Sequence, residues 1–136
     1  MDEEGRFSLT PERHAIQIAQ RISSETVYDA FTGCGGNAIA FARLGKRVIA
    51  NELNPERLQM ARHNASIYTV DALIDWRHQD ALQQFPDAPF VFLDPPWEWG
   101  HVRLQEVLEI FQAHYATGQI KVPTSFPIPQ NMTVRL

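Results

Sequence analysis

Four apolar residues that run into an acid and two prolines set a hard stop in this chain. Phe90-Val91-Phe92-Leu93 reads as a buried strand, and Asp94-Pro95-Pro96-Trp97 follows at once. Neither proline has an N–H to give to a ladder, so the strand must end at Leu93 or Asp94. That ending projects a carboxylate and an indole into one place. The carboxylate and the neighbouring carbonyls accept hydrogen bonds from an exocyclic amine, and the indole stacks on the ring that bears it. Such chemistry suits methylation of a nucleobase nitrogen. Taken alone, the stretch is explained equally well as an ordinary strand-end turn, which Asp-Pro often is.

The remaining residues decide between these readings only when their organisation is known. A chain of 136 residues is long enough for one domain with a core and too short for two, so residues 1–136 are taken as a single unit. Apolar residues make up 44% and charged residues 21%, the balance of a globular protein. No apolar run approaches the ~20 residues of a membrane helix, and the acidic start, Met1-Asp2-Glu3-Glu4, is unlike a signal peptide. One cysteine, Cys34, permits no internal disulfide and fits a reducing compartment, so a cytoplasmic location is expected. The net charge of −4 makes non-specific binding to a polyanion unfavourable. It leaves open a nucleotide, a short structured RNA met through a local patch, or a base held in a pocket.

Helix and strand signals alternate along the chain. Thr10-Pro11-Glu12 offers a cap, a first-turn proline and a first-turn acid, which predicts a helix over about 11–23. Residues 26–31 read as a strand, Thr32-Gly33-Cys34-Gly35-Gly36-Asn37 as a tight glycine loop, and 38–44 as an alanine-rich helix closed by Gly45. Residues 47–52 form the second strand. Asn54-Pro55-Glu56 opens a helix to about Thr69, with Leu58, Ala61, Ala65 and Tyr68 on its inner face. A third strand over 74–78 is less apolar and so belongs at an edge. Residues 81–89 are a loop or short helical turn before the fourth strand. An amphipathic helix runs from Val102 to Tyr115, with Leu104, Val107, Leu108, Phe111 and Tyr115 facing inward. Residues 119–122 suit a fifth strand, and the proline-bearing tail is irregular apart from a short extended piece at 132–136. This alternation predicts a doubly wound, mainly parallel α/β sheet with helices on both faces. In such sheets ligands lie at the carboxyl ends of the strands, where the strand order reverses. The glycine loop and Asp94 both sit at such ends.

Three glycines in four residues allow close backbone approach and positive φ before a helix N-terminus. Glu52 lies 19 residues past Gly33, at the end of strand two, where an acid accepts from ribose hydroxyls. Gly33-x-Gly35-x-x-Ala38 also fits the dinucleotide fingerprint, so NAD stays an alternative to S-adenosylmethionine. Two features favour the latter. Asp29, just before the loop, suits a cationic methionine moiety and would repel a pyrophosphate; a hydride-transfer domain does not require the Asp94–Trp97 stretch. Asp80, after strand three, is the candidate for the adenine amino group, and equally a surface acid capping the next turn. Cys34 reads as a small apolar filler. The five histidines have no metal-ligand spacing, so no metal is expected; His101 alone falls near the candidate site.

On these residues the chain resembles the trimethylguanosine synthase family of RNA cap guanine-N2 methyltransferases, as a short prokaryotic-type relative. Phe7-Ser8-Leu9-Thr10-Pro11-Glu12 is similar to its lead-in helix motif. Asp29-Ala30-Phe31-Thr32-Gly33-Cys34-Gly35-Gly36-Asn37 is similar to its cofactor loop, continuing through Val48–Pro55 and Ala61–Ala65. Phe90 to Trp97 is similar to its base-holding stretch. The resemblance implies a Rossmann-like class I methyltransferase fold and S-adenosylmethionine as cofactor. It implies that Asp29, Phe31, Thr32, Gly33, Gly35, Asn37, Glu52 and Asp80 hold the cofactor. It places Trp97 against the guanine, Ser8 and Thr10 over cofactor or substrate, and Asp94, Pro95 and Trp97 at the chemistry.

Three departures accompany it. Asp94 stands where the eukaryotic enzymes commonly carry serine, and is the form more widespread in base and amino methyltransferases. Glu98-Trp99-Gly100-His101 replaces glycines and a proline, and a negative Glu98 tells against cap or phosphate recognition. The fold normally adds two further strands as an antiparallel hairpin, so the sheet is expected to be truncated after strand five. Its open edge would then be covered by the tail, a second copy in a homodimer, or a partner subunit. The expected function is N-methylation of a base, guanine-N2 favoured, in RNA or a nucleotide. The alternatives are a non-catalytic S-adenosylmethionine-binding subunit that needs a partner and a NAD-type dinucleotide-binding module.

Overall fold

A computed structural model of the chain describes residues 24–120 and 133–135. The helix expected over about 11–23, with Ser8 and Thr10 before it, lies outside the described residues. Six strands form one sheet: β1 (Thr26–Asp29), β2 (Arg47–Asn51), β3 (Ile74–Arg77), β4 (Val91–Leu93), β5 (Thr117–Ile120) and β6 (Thr133–Arg135). Their order is β3-β2-β1-β4-β5-β6, parallel through β5, with β6 antiparallel to it. The polar third strand takes the edge, as its composition predicts.

Three helices make the crossovers: α1 (Gly36–Arg43) from β1 to β2, α2 (Pro55–Ile67) from β2 to β3, and α3 (Gly100–Gln112) from β4 to β5. The chain moves leftward from β1 and rightward from β4. Right-handed crossovers therefore send α1 and α3 to opposite faces. The strands serve both faces by strict alternation. Val27, Val48, Ala50 and Phe92 join α1, whereas Tyr28, Val91, Leu93 and Ile120 join α3. Phe41 and Phe92 meet edge to face at 5.4 Å and are fully buried, each burial contributing about 2 kcal/mol.

Helix starts follow their local chemistry. Asn54 caps α2 by accepting from the N–H groups of Glu56 (2.9 Å) and Arg57 (3.1 Å), with Pro55 in the first turn. The inner face of α2 is Ala61, Asn64 and Ala65; Tyr68, expected there, is exposed. Its place is taken by Asn64, whose Nδ2 donates to the Cys34 carbonyl at 3.1 Å. The inner face of α3 is as its periodicity predicts, and Tyr115 beyond it is buried.

Among the described residues the sheet gains one antiparallel strand past the fifth: Thr133–Arg135, within the extended piece expected at 132–136, pair with Thr117–Gln119 of β5. Of the three covers expected for that flank of β5, the tail is the one in place, and β6 itself forms the edge of the sheet. β5 also begins two residues before the expected position and includes Gly118, a residue that carries no strand signal.

Candidate functional site

The order reversal lies between β1 and β4, which are hydrogen-bonded neighbours: Tyr28 N–H donates to the Phe90 carbonyl and Ala30 N–H to that of Phe92. A cleft of about 860 Å³ opens over the carboxyl ends of the strands there, within the ~300–1,000 Å³ of small-molecule sites. Its walls are the loops after β1 to β4. Because of the strand order, the β2 and β3 loops bring Glu52, Leu53 and Asp80 to one side of β1, and the β4 loop brings Asp94, Pro96, Glu98 and Trp99 to the other.

The glycine bend forms the floor. Gly33 has φ +56 with nothing within 4 Å of a built Cβ, an open position against the cleft. Gly35 has φ +91, and a Cβ there would meet Ala61 Cβ at 3.0 Å. Gly35, expected to touch cofactor, instead lets the bend pack on α2 and does not line the cleft; Gly36 does. Glu52 braces the bend: Oε1 accepts from Gly33 N–H and Oε2 from Asn54 N–H, each at 2.9 Å. Both carboxylate oxygens keep lone pairs beyond these bonds. Asp80 caps the turn that follows it, its Oδ1 accepting from Leu82 N–H at 3.0 Å, and it also lines the cleft.

Asp94 is turned towards the glycine bend. The Nδ2 of Asn37, in the first turn of α1, donates to Asp94 Oδ2 at 3.3 Å across 57 residues of chain. Pro95 is buried and does not line the cleft; Pro96 does. Trp97 opens a helical turn, Trp97–Trp99, that leads into α3. His101 is exposed and does not line the cleft. Phe31 and Thr32 line it, and Cys34 is a nearly buried part of its wall.

Asp29 lies deeper than expected. It is fully buried behind the cleft wall, with Oδ2 accepting from Thr32 Oγ1 at 2.8 Å. Burial pushes its carboxyl up to about 7, the hydrogen bond from Thr32 opposes this, and Asp94 and Glu52 push it further up. The Phe31 N–H also opposes the rise. The Oδ1 of Asn37, which lines the cleft, is a buried acceptor with no donor among the described residues. With the Asp94 and Glu52 carboxylates on the same cleft, it fits a cationic ligand that carries N–H groups, such as the methionine end of S-adenosylmethionine, and the wall repels a pyrophosphate. Among the described residues no group of three His, Cys, Asp or Glu is placed to hold a metal ion, and no helix is long and apolar enough to cross a membrane.

Some of this was absent from the sequence reading. Asn51, 1% exposed, donates to the carbonyls of Ala30 (3.3 Å) and Gln79 (3.0 Å) and accepts from Gln79 N–H (3.0 Å). It ties the ends of β1, β2 and β3 under the cleft. Its only signal was a buried-looking asparagine at a strand end. Trp99 and Met60 also line the cleft.

A sheet ordered 3-2-1-4-5, with a glycine bend after its first strand and an acid after its second, is Rossmann-like and matches the class I methyltransferase fold. Residues 24–120 match the family described as RNA cap guanine-N2 methyltransferase. Trimethylguanosine synthase of Schizosaccharomyces pombe is 37% identical over 71% of this chain and 45% of its own length. That of Saccharomyces cerevisiae is 30% identical over 93% of this chain and 44% of its own. The chain therefore spans less than half the length of these two relatives. An RNA methyltransferase from Salinibacter ruber, solved with S-adenosyl-L-homocysteine, superposes with TM-score 0.67 over 93% of this chain and 86% of its own, at 23% identity. A putative RNA methyltransferase from Pyrococcus horikoshii gives 0.70 over 85% and 62%, at 17% identity. These structural likenesses are likenesses of fold. The chain belongs to the RNA cap guanine-N2 methyltransferase family, that of the trimethylguanosine synthases, which depend on S-adenosylmethionine. That membership removes the dinucleotide alternative.

Proposed function

We propose that this chain binds S-adenosylmethionine in the cleft and methylates an exocyclic nitrogen of a purine base, guanine-N2 in type, carried by RNA or a nucleotide. The observation that carries the reading is the Asn37–Asp94 hydrogen bond. It holds the acid of the β4 loop over the glycine bend, so that donor and acceptor sites share one carboxylate. When bound, the cofactor supplies a methyl group already activated by a positive sulfur, and the protein's share is alignment and charge. Asp94 accepts from the amine of the base and holds it against the bend; Pro95, buried next to Pro96, is given no contact with it. The Asp94 carboxylate favours the positive charge that develops on the attacking nitrogen. Trp97 sets the plane of the ring. Glu52 takes the ribose, Asp80 the adenine amine, and Phe31, Thr32 and Asn37 the rest of the donor, with Asp29 a buried countercharge behind them. Ser8 and Thr10 close over the bound molecules. A base within a duplex must be flipped out to reach this cleft, whereas a terminal or unpaired one need not be.

Calorimetry with S-adenosylhomocysteine, followed by a tritiated-methyl screen over total RNA, short RNA and nucleotides, tests the reading. Binding and transfer to a guanosine-containing acceptor are expected. Trp97→Ala should abolish transfer and leave the S-adenosylhomocysteine affinity intact; equal loss of both contradicts the role given to Trp97. Binding without transfer to any acceptor would leave a cofactor-binding subunit.

A further inference from the structure

We propose that Trp99 is a substrate-positioning residue whose indole is a stacking wall for the acceptor base. The proposal rests on the reading of the cleft as a base-methylation site. Trp99 lines the cleft on the β4 side, across β1 from Glu52 and Asp80. It keeps 36% of its surface exposed. The ring is packed from the core outward. Phe111 is fully buried on α3 and holds Phe31 at 6.0 Å; Phe31 in turn meets Trp99 edge-on at 5.9 Å and 86°. The Arg103 guanidinium lies over the indole at 5.4 Å, and the turn that carries the residue is closed by the Trp99 backbone N–H, which donates to the Pro96 carbonyl at 3.2 Å. A ring held in this way gives up little conformational freedom when a ligand stacks on it.

The surrounding charge narrows the ligand. Glu98 and Asp94 line the cleft beside Trp99. Two acids disfavour recognition through phosphate and leave the ring face and the amine of the base as the groups this end can take. Stacking needs only a π-face and sets no sequence preference. Trp99 therefore adds a second flat wall to the one given to Trp97, and the carboxylate of Asp94 selects the amine.

The test is calorimetric titration of guanosine into the full chain saturated with S-adenosylhomocysteine. Trp99→Ala should weaken the nucleoside about tenfold or more, and Trp99→Phe should restore it to within a few-fold. Both variants should keep the S-adenosylhomocysteine affinity, and Trp99→Phe the unfolding midpoint as well. Nucleoside binding that survives Trp99→Ala overturns the proposal and leaves the methyltransferase reading standing. So does a parallel loss of S-adenosylhomocysteine binding and stability, which marks the ring as structural. A parent chain that binds S-adenosylhomocysteine but neither the nucleoside nor a short guanosine-containing RNA overturns the base reading and this proposal together.

Discussion

At the scale of single residues, the cleft is organised around carboxylates that the chain places against one another. Asp29 holds a proton at about pH 7 in the folded chain, against an ordinary carboxyl value of 3.8. The folded state therefore binds a proton that the unfolded chain has released across that window. Native stability falls as the pH climbs from about 4 to 7, and the loss is complete above the folded value. Asp29→Asn has no proton to lose, so thermal melts of the ligand-free chain should show its midpoint gaining on the parent as the pH rises from 4 to 8. A constant difference between the two would contradict the buried, protonated carboxyl. A cation bound nearby favours the ionised form, so S-adenosylhomocysteine, which carries an ammonium group, should release protons on binding near pH 7. Titrations in buffers of different ionisation enthalpy read that release directly.

At the scale of elements, the glycine bend shows how one short motif serves two purposes. Gly33 faces the cleft with open space around it, and Gly35 lies against α2. Gly35→Ala must force a side chain into left-handed backbone and onto Ala61, a loss of roughly 2 kcal/mol or more in denaturant melts. Gly33→Ala meets only the backbone term, about 1 kcal/mol, and should instead weaken S-adenosylhomocysteine in calorimetry because its methyl group enters the cleft. Equal stability losses for the two would refute this division. The sequence spoke clearly for these elements wherever a local rule governs. Asn54-Pro55-Glu56 made a capped helix start, and the inward face of α3 followed the 3.6-residue period. It was silent where a polar side chain bonds to distant backbone. Asn51 and Asn64 join loops 28 and 30 residues away, and no spacing rule announces such partners. Trp99 was missed for a related reason, since its place in the cleft depends on Phe31 and Phe111.

At the scale of the whole molecule, the site exists because the sheet reverses its order between β1 and β4. Its edge is a matter of the same topology. β6 gives β5 a partner along residues Thr117–Gln119, and removal of residues 133–136 leaves those groups unpaired. Such a variant should shift to larger species in size-exclusion chromatography with light scattering as its concentration rises. An unchanged elution would mean that the pairing does not protect the edge.

The sequence by itself determined the alternation of strand and helix, the glycine bend, the stop after Leu93 and the resemblance to cap guanine-N2 methyltransferases. All of these are encoded by neighbouring residues through backbone geometry and periodicity. Only the tertiary structure decided that Asn37 reaches Asp94, that Gly35 lies against α2, that Asp29 lies behind the cleft wall, and that a sixth strand pairs with β5. Each of those depends on residues far apart in the chain, and local preferences carry no information about which distant groups a fold brings within a hydrogen bond of one another.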